Sequence, residues 1–369
     1  MNFIKRDKKT IENQGNDITI VIITYNRYPF LMRLLKFYKK YEYLFHILII
    51  DSSSDDLDDE MKSYLKMKNV TYRKYDPLIF FTEKISDGCQ SIKTRFAVLC
   101  ADDDFLIPSS IIMSRDFLLK NEDYASAHGL YFNHTSFEKA QKTGFSIGPL
   151  YSQGKSVQDD SSVQRFNKYM FVKVGINPLY AVHRTNFFQL IWKETSKYVS
   201  DWGLSEIFPC ALSLIYGKMK VLPVFYASRQ PNTYSWYDEN RHSEMFSEEK
   251  LRLASNGFAK HLSTLDKINN KESSLIVNYA FLKYSSFHER KVKNKQNRKF
   301  YILMRLLRER IRIRTRIQKL LIKGCHNSIY PKYMDDYIKL MESVMDCKNT
   351  TQAELNRSRM EYVNQKHIG

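Results

Sequence analysis

Apolar and polar residues in the first third of the chain form a repeating pattern in which a strand is followed by a helix. Residues 18–24 are a β-branched apolar run, and the apolar residues after Arg27 recur at helical spacing. Residues 44–50 form a second apolar run, followed by an amphipathic stretch at 57–65 and a short strand pattern at 70–73. Strands that alternate with helices predict a parallel sheet with right-handed crossover connections.

A third apolar run, residues 96–101, ends in three consecutive aspartates at 102–104, the aspartate triad. Ligands bind such sheets beyond the carboxyl ends of the strands, where Thr24, Asp51 and the triad would all lie. Adjacent carboxylates repel one another by roughly a kcal/mol per close pair at intermediate dielectric. A divalent cation or several hydrogen-bond donors would offset that repulsion. The alternative is a solvated acidic turn that caps the helix predicted near Pro108.

Four segments of the chain resemble the nucleotide-sugar glycosyltransferases of the GT-A fold, specifically the family-two-like group. In order, they are ITIVIITYNR at 18–27, ILIIDSSSDD at 47–56, FAVLCADDDFLIP at 96–108 and DWGLSEIFPCALSLIYGKMKVLP at 201–223. Their order and spacing make the resemblance stronger than any one motif would. It implies an α/β fold of the GT-A type, which is Rossmann-like with a mostly parallel sheet flanked by helices. It also implies sugar transfer from a nucleoside diphosphate to a hydroxyl.

The resemblance also implies roles for the residues at the first two strand ends. The loop beneath the nucleotide would be formed by Thr24, Tyr25, Asn26 and Arg27. Asp51 would read the base, because a carboxylate accepts hydrogen bonds from an imide or amine edge. Its alternative role is that of a turn residue that binds its own backbone.

The aspartate triad is assigned by the same resemblance to the diphosphate and the metal. Asp102 and Asp104 are the preferred ligands of Mn²⁺ or Mg²⁺, since these cations take oxygen donors, and Asp102 and Asp103 would lie near the nucleotide. The register is ambiguous, because counting back from Pro108 places the family's usual first aspartate at Ala101.

Transfer to a hydroxyl needs a base, and a carboxylate within hydrogen-bond reach can serve. In the resembling family this carboxylate opens a helix about eleven residues before a glycine, and Glu206 stands in that relation to Gly217. Asp201 is the competing candidate. Glu206 could instead be a first-turn acid stabilised by the helix dipole. Direct displacement by the activated hydroxyl would invert the anomeric centre.

Further side chains could contact the substrates. His183 and Trp202 could pack on a sugar or simply belong to the core or rim. Residues 229–237 correspond to a segment that folds over the donor in relatives, where Arg229 would stabilise the departing diphosphate. His242 could be a third metal ligand or a solvated loop histidine.

Composition places the protein among globular proteins of a reducing compartment. The hydrophobic fraction of 43% permits a sizeable core, and no apolar stretch reaches the length of a membrane helix. The first residues lack the apolar centre of a signal peptide. The five cysteines are scattered without paired or metal-type spacing. We therefore expect a cytoplasmic protein.

We predict three regions: a polar lead at 1–16, the GT-A domain at 17–268 and a basic α-helical region at 269–369. Residues 271–369 contain 22 Lys and Arg against 9 Asp and Glu, a balance of +13 out of +18 for the chain. Most of this charge lies at 288–323, although residues 310–316 alternate with a period of two, as a strand would. Such a basic, apolar-laced helix suits the anionic inner face of a membrane, where a lipid-linked acceptor would lie. The alternative is ion pairing with acids of the catalytic domain or of a second subunit in a homo-oligomer.

Other classes of function fit the sequence less well. The basic stretch has no helix-turn-helix, zinc, RRM or KH signature, so nucleic acid is not the expected partner. Nucleotidyltransferases also use strand-end aspartates, but they open with a glycine-rich loop, and residues 24–28 contain no glycine. A CMP-linked acidic sugar, which needs less help from a metal, stays open as the donor, and so does a non-catalytic role in binding nucleic acid or membranes.

Overall fold

The structure is a computed structural model that describes residues 15–41, 45–139, 142–149, 154–172, 176–200, 203–229 and 248–281. The strands in these residues are β1 (Ile18–Thr24), β2 (His46–Asp51), β3 (Val70–Lys74), β4 (Phe96–Ala101), β5 (Phe105–Leu106), β6 (Tyr124–Lys139), β7 (Lys142–Pro149), β8 (Val182–Arg184) and β9 (Lys218–Arg229). The helices are α1 (Tyr28–Lys39), α2 (Asp59–Leu65), α3 (Phe81–Cys89), α4 (Pro108–Lys120), α5 (Ser162–Val172), α6 (Thr185–Tyr198), α7 (Ile207–Tyr216), α8 (Glu248–Leu265) and α9 (270–281).

The strands form one mixed sheet in the order β3-β2-β1-β4-β8-β6-β9-β5, and β7 pairs with β6. The first four strands of this order are parallel to one another, and β6 and β9 are parallel as well. β8 and β5 run antiparallel to their neighbours. The mostly parallel sheet predicted from the sequence is therefore confirmed, with β5, β7 and β8 as the reversed strands among the described residues.

The register of the central strands determines which residues share the carboxyl edge. Thr24 pairs with Asp51 across β1 and β2, and Ile23 pairs with Ala101 across β1 and β4. The residue after Ala101 is Asp102. Because parallel strands in register end together, Thr24, Asp51 and Asp102 lie side by side, as the sequence predicts.

Helix α4 excludes one reading of the aspartate triad. It begins at Pro108, which suits a first helical turn, and its N-cap residue is Ile107, with no side-chain capping bond. The two-residue strand β5 separates the triad from this helix. The triad is therefore not the helix cap that the alternative interpretation required.

The core consists of one large cluster around the sheet and a second cluster among the later helices. The large cluster includes Ile20, Leu34 and Phe96, all with no exposed surface. The second cluster joins α5, α6, α7, α8 and α9, and Phe208 and Phe258 stack in it at 4.4 Å between ring centroids. The proposed boundary at 269 stays a prediction.

Several sequence predictions concern the ends of the chain and the cysteines. The cysteines among the described residues, Cys89, Cys100 and Cys210, are buried free thiols. Among the described helices, none is long and apolar enough to cross a bilayer. The basic stretch at 288–323 and residues 1–14 lie outside the described residues.

Gly217, the single residue between α7 and β9, has no room for a side chain. A Cβ built there would stand 2.7 Å from the Ala125 Cβ and 2.8 Å from the Ala125 backbone nitrogen. We expect Gly217→Ala to lower the free energy of unfolding by about 1–3 kcal/mol, because backbone must shift to admit the methyl group. Thermal unfolding measures this. The double variant Gly217→Ala with Ala125→Gly should recover part of the loss, and a single variant as stable as wild type would contradict the prediction.

Candidate functional site

The ends of β1 and β4 are joined directly by side chains. The hydroxyl of Thr24 donates a hydrogen bond of 2.8 Å to Asp102 Oδ2, and both residues are buried. Thr24 ends β1, and Asp102 follows β4, so this bond closes the carboxyl edge between two neighbouring strands. Because this bond uses Oδ2, the other oxygen of Asp102, Oδ1, is left to contact Arg27.

The loop after β1 is held by reciprocal bonds to the loop after β2. Asn26 has a φ of 51°, in the left-handed region, which asparagine tolerates better than most residues. Its backbone nitrogen donates to Ser53 Oγ at 2.8 Å, and its side-chain oxygen accepts from the Ser54 nitrogen at 2.7 Å. These contacts place Tyr25 and Arg27 on either side of a fixed residue.

Asp51 is fully buried and accepts four hydrogen bonds. Its Oδ1 accepts from the Ser53 nitrogen at 2.7 Å. Its Oδ2 accepts from the hydroxyls of Tyr28 and Tyr72, each at 2.7 Å, and from Lys74 Nζ at 3.2 Å. Burial acts to raise the pKa of Asp51, but the bonds from Ser53 and the tyrosines outweigh it and hold that pKa below its usual value. Asp51 is therefore ionised at neutral pH.

This arrangement bears on how Asp51 would read a base. The bond from the Ser53 nitrogen is the one that the turn-residue interpretation predicts. The remaining three come from side chains around the carboxyl ends of β1, β2 and β4, the crevice in which a ligand of such a sheet is expected to bind. A base could hydrogen-bond to Asp51 only by displacing a tyrosine hydroxyl or Lys74. Otherwise, Asp51 orients Tyr28 and Tyr72, which are half-buried, toward the crevice. The base-reading role itself stays a prediction.

Two arginine side chains pair with the carboxylates of the aspartate triad. Arg27 contacts Asp102 Oδ1 at 3.2 Å through Nη1 and Asp103 Oδ2 at 2.5 Å through Nη2. Arg229 Nε, at the end of β9, contacts Asp104 Oδ2 at 2.7 Å. A third arginine, Arg33 of α1, donates to the backbone oxygen of Asp103 at 2.9 Å. All three aspartates are at most 5% exposed, so these contacts are made away from bulk water.

Burial and pairing act in opposite directions on the triad. Burial raises the pKa of Asp102 to about 7, with the charge of Asp103 adding to it, although Arg27 and the Thr24 hydroxyl act against the rise. For Asp103 burial also acts upward, but its contacts with Arg27 outweigh burial and lower its pKa. The triad therefore contains one firmly ionised carboxylate and one that readily holds a proton near neutral pH.

The carboxylates of the triad are the oxygen donors that could hold a divalent cation. Within the described residues, no three His, Cys, Asp or Glu side chains are placed to hold one metal ion. Mg²⁺ is commonly bound by one or two carboxylates together with substrate phosphates and water. Asp102 and Asp104 meet that requirement as oxygen ligands, and binding a cation would relieve the upward pKa shift of Asp102.

The direction of α7 relates Glu206 to the edge of the sheet where the triad lies. It immediately precedes α7, and its exposed side chain makes no capping bond. Ser213, near the other end of α7, lies 3.4 Å from Ser126 at the start of β6. The ten residues of α7 span about 15 Å, and the chain turns at Gly217 directly from α7 into β9. We infer from this reversal that Glu206 lies toward the carboxyl edge. The competitor Asp201 lies outside the described residues.

His183 is a core residue and does not line the crevice. It is 3% exposed, its Nδ1 donates to the Ala181 oxygen at 2.8 Å, and its Nε2 accepts from the Ser213 hydroxyl at 2.9 Å. Burial lowers its pKa to about 4, so the ring is neutral. Of the two interpretations left open for His183, the structure supports the core residue, because both ring nitrogens are used inside the core. Trp202, His242 and residues 230–237 lie outside the described residues.

Sequence reasoning did not find five polar side chains that the structure places around the crevice. They are Tyr28, Arg33, Tyr72, Lys74 and Lys84. Two signals for them were present: basic residues interrupt the apolar faces of α1 and α3, and tyrosines occur close to the predicted strand ends.

Residues 19–172 match the family model described as "Glycosyl transferase family 2". The resemblance predicted from the sequence is thus confirmed over this segment. No curated protein matches the chain significantly.

The solved structures to which this chain is similar include TarS from S. aureus. TarS 1-349 is 14% identical, with 73% of this chain and 72% of that chain covered and a TM-score of 0.47. TarS 1-349 in complex with UDP-GlcNAc is 13% identical, with 73% of each chain covered and a TM-score of 0.47. Its complex with UDP is 13% identical, with 72% and 70% covered and a TM-score of 0.42.

The bridge made by Arg27 generates a prediction about stability. Arg27→Met should lower the free energy of unfolding by about 3 kcal/mol, because it leaves two buried carboxylates without their cation. The loss should be smaller at pH 5 than at pH 8. Unpaired buried carboxyls have raised pKa values in the folded protein, so low pH favours the folded state, which binds more protons. Urea unfolding at the two pH values measures both effects.

The matched control is Arg73→Met. Arg73 contacts Asp87 at 3.3 Å, but both side chains are more than a third exposed. We expect a loss of about 0.5 kcal/mol or less for this surface pair, with little dependence on pH. Equal losses in the Arg27 and Arg73 variants would contradict a structural role for the Arg27 bridge.

Proposed function

We propose that this chain, whose residues 19–172 form a glycosyl transferase family 2 domain, moves one sugar from a nucleoside-diphosphate sugar to an acceptor hydroxyl, with inversion. The observation that carries the proposal is the meeting of Asp51 with the buried aspartate triad at one edge of a mostly parallel sheet. A nucleotide has a hydrogen-bonding base at one end and a diphosphate at the other. The crevice offers a polar aromatic group at one side and carboxylates with arginines at the other.

The base side of the crevice is formed by Asp51 with Tyr28 and Tyr72. Two tyrosine hydroxyls oriented by one ionised carboxylate can present donors and ring faces to a heterocycle. Lys74 adds a cation at the rim, 3.2 Å from Asp51 Oδ2. Thr24 and the Tyr25-Asn26-Arg27 loop then support the nucleotide between Asp51 and the triad.

On the diphosphate side, Asp102 and Asp104 would hold Mn²⁺ or Mg²⁺, and Asp103 keeps Arg27 in place. The cation would supply charge stabilisation for the departing nucleoside diphosphate. Arg27 and Arg229 are within reach of the same region, because each already contacts a triad carboxylate. Guanidinium groups that exchange a carboxylate for a phosphate can stabilise the charge that develops as the sugar leaves.

Glu206 is our candidate for the general base. Its carboxylate is exposed at the carboxyl edge, so it can reach an acceptor that enters from solvent. It would accept the proton of the acceptor hydroxyl as the oxygen attacks the anomeric carbon from the face opposite the diphosphate, which inverts that centre. Asp201, five residues earlier in the chain, is the second candidate for this role.

For the acceptor we propose a glycan or a lipid-linked glycan in surface polysaccharide assembly. The support is the net charge of +13 in residues 271–369, which suits an anionic membrane surface at the cytoplasmic face. The alternative is that these basic residues pair with acidic residues of a second subunit in a homo-oligomer.

Thermal unfolding with a panel of nucleotides tests the proposed donor. UDP, GDP, CDP, CMP and their sugars are each added with and without Mn²⁺. One nucleoside diphosphate should raise the melting temperature in a metal-dependent way, since a ligand at 100 times its Kd stabilises the folded state by about 2.7 kcal/mol. Asp104→Ala should abolish the part of the shift that depends on metal. No shift with any nucleotide would overturn the proposal, and a metal-independent shift with CMP alone would favour a CMP-sugar donor.

Glu206→Gln tests the proposed base. The amide cannot accept the acceptor's proton, so we expect kcat to fall about 100-fold or more while donor binding stays nearly unchanged. Product formation and isothermal titration with the donor nucleotide measure the two quantities. Asp201→Asn is the matched variant. Preserved turnover in the Glu206 variant with loss in the Asp201 variant would transfer the role to Asp201.

A further inference from the structure

Lys84 is a buried cation between the ends of the first two strands. It lies one turn into α3, and its side chain is 8% exposed. Its ammonium group donates to Ser52 Oγ, directly after β2, and lies 6.0 Å from the ring centroid of Tyr25, directly after β1. Lys84 Nζ is therefore at the carboxyl edge, beside the loop that supports the nucleotide.

None of the described residues forms an ion pair with Lys84. Among the described residues, no carboxylate lies within 4 Å of its Nζ, in contrast to Arg27 and Arg229. Asp51 influences Lys84 electrostatically, but it already accepts bonds from two tyrosines, Ser53 and Lys74. An ammonium group away from water is costly unless it is paired, and one neutral hydroxyl is a weak substitute for an anion.

The groups around Lys84 account for its titration. Burial lowers the pKa of Lys84 to about 8, and the charge of Asp51 acts against that fall. The acids of α3 itself, Glu83 and Asp87, are exposed, and Asp87 binds Arg73 and Tyr75. The helix α6 contacts α3 through the Gln189 amide and the Val199 carbonyl, neither of which is charged.

We propose that Lys84 Nζ binds a phosphate oxygen of the nucleotide donor, a role that rests on the proposed function. A nucleotide with its base near Asp51 and its diphosphate near the triad would cross the Thr24-Tyr25 end of β1, which is where Lys84 lies. An anion gains most from a buried cation that has no charged partner. The site is distinct from the triad, so it acts on the nucleotide without the metal.

Calorimetry distinguishes a contact of Lys84 with the phosphates of the nucleotide from a contact with its base. Titrations with UDP and GDP, each beside its phosphate-free nucleoside, are run on wild type, Lys84→Met, Lys84→Arg and Lys62→Met. Lys62 is an exposed lysine of α2 and serves as the matched control. Lys84→Met should weaken the diphosphate about 10- to 100-fold, the value of a hydrogen bond to a charged group, and leave the nucleoside unaffected. Lys84→Arg should retain part of the affinity for the diphosphate, and Lys62→Met should retain all of it.

Proton uptake and stability provide two readouts that a purely structural lysine would not give. At pH 8, wild type should take up about half a proton when the diphosphate binds, since the phosphate raises a lysine pKa of about 8. Repeating the titration in buffers of different ionisation enthalpy measures this uptake, which Lys84→Met should abolish. Without nucleotide, Lys84→Met should melt at or above the wild-type temperature, because it removes an uncompensated buried charge.

The outcomes distinguish this inference from the proposed function. If wild type binds no nucleoside diphosphate, the proposed function fails, and this inference fails with it. If wild type binds one and Lys84→Met binds it equally well, only the Lys84 assignment is overturned. An equal loss for the diphosphate and the nucleoside would assign Lys84 to the base or ribose and overturn the phosphate assignment.

Discussion

The contact of Arg27 with Asp102 and Asp103 is the interaction on which the geometry of the crevice depends. It ties the loop after β1 to the end of β4, while Asn26 in the same loop is bonded to Ser53 and Ser54 after β2. Three strand ends are thereby connected through two consecutive residues, Asn26 and Arg27. Because the partners are buried carboxylates, losing this contact would cost far more than losing a surface ion pair. The loop is consequently held in place before a nucleotide binds, and little ordering is left to be done on binding.

Charge is distributed unequally along the crevice. At the triad, carboxylates and guanidinium groups contact one another directly, whereas Lys84 sits near the base side with a hydroxyl as its hydrogen-bond partner. A buried group without charge compensation makes the folded state less stable than it could be, and such groups are concentrated at binding sites. Lys84 therefore lowers the stability of the folded state and favours ligand binding, whereas the ion pairs of Arg27 stabilise the folded state.

The fold was predictable from the sequence where local pattern and long-range structure agree. The apolar runs at β1, β2 and β4 are read directly, and the parallel register then places Thr24, Asp51 and Asp102 together. β8 was harder to assess, because it has three residues and is antiparallel to both of its neighbours. The role of His183 stayed open in the sequence, since no local signal shows that Ser213, thirty residues later, satisfies its second nitrogen. Arg33 and Lys84 occupy helix faces that read as apolar, and only the tertiary structure shows where their charged ends lie.

The charge balance of the triad also constrains how donor and cation can bind. Three buried carboxylates are matched by Arg27, Arg229 and the nearby Arg33, so the folded chain is close to neutral there without a ligand. A divalent cation alone would add charge to a buried neutral site, and so would a diphosphate alone. Together they bring opposite charges, and the desolvation cost of each is offset by the other. A site built in this way would favour the joint binding of the proposed cation and sugar nucleotide over the binding of either one. Lys84, which bonds to a hydroxyl and not to a carboxylate, would shift that preference toward the nucleotide.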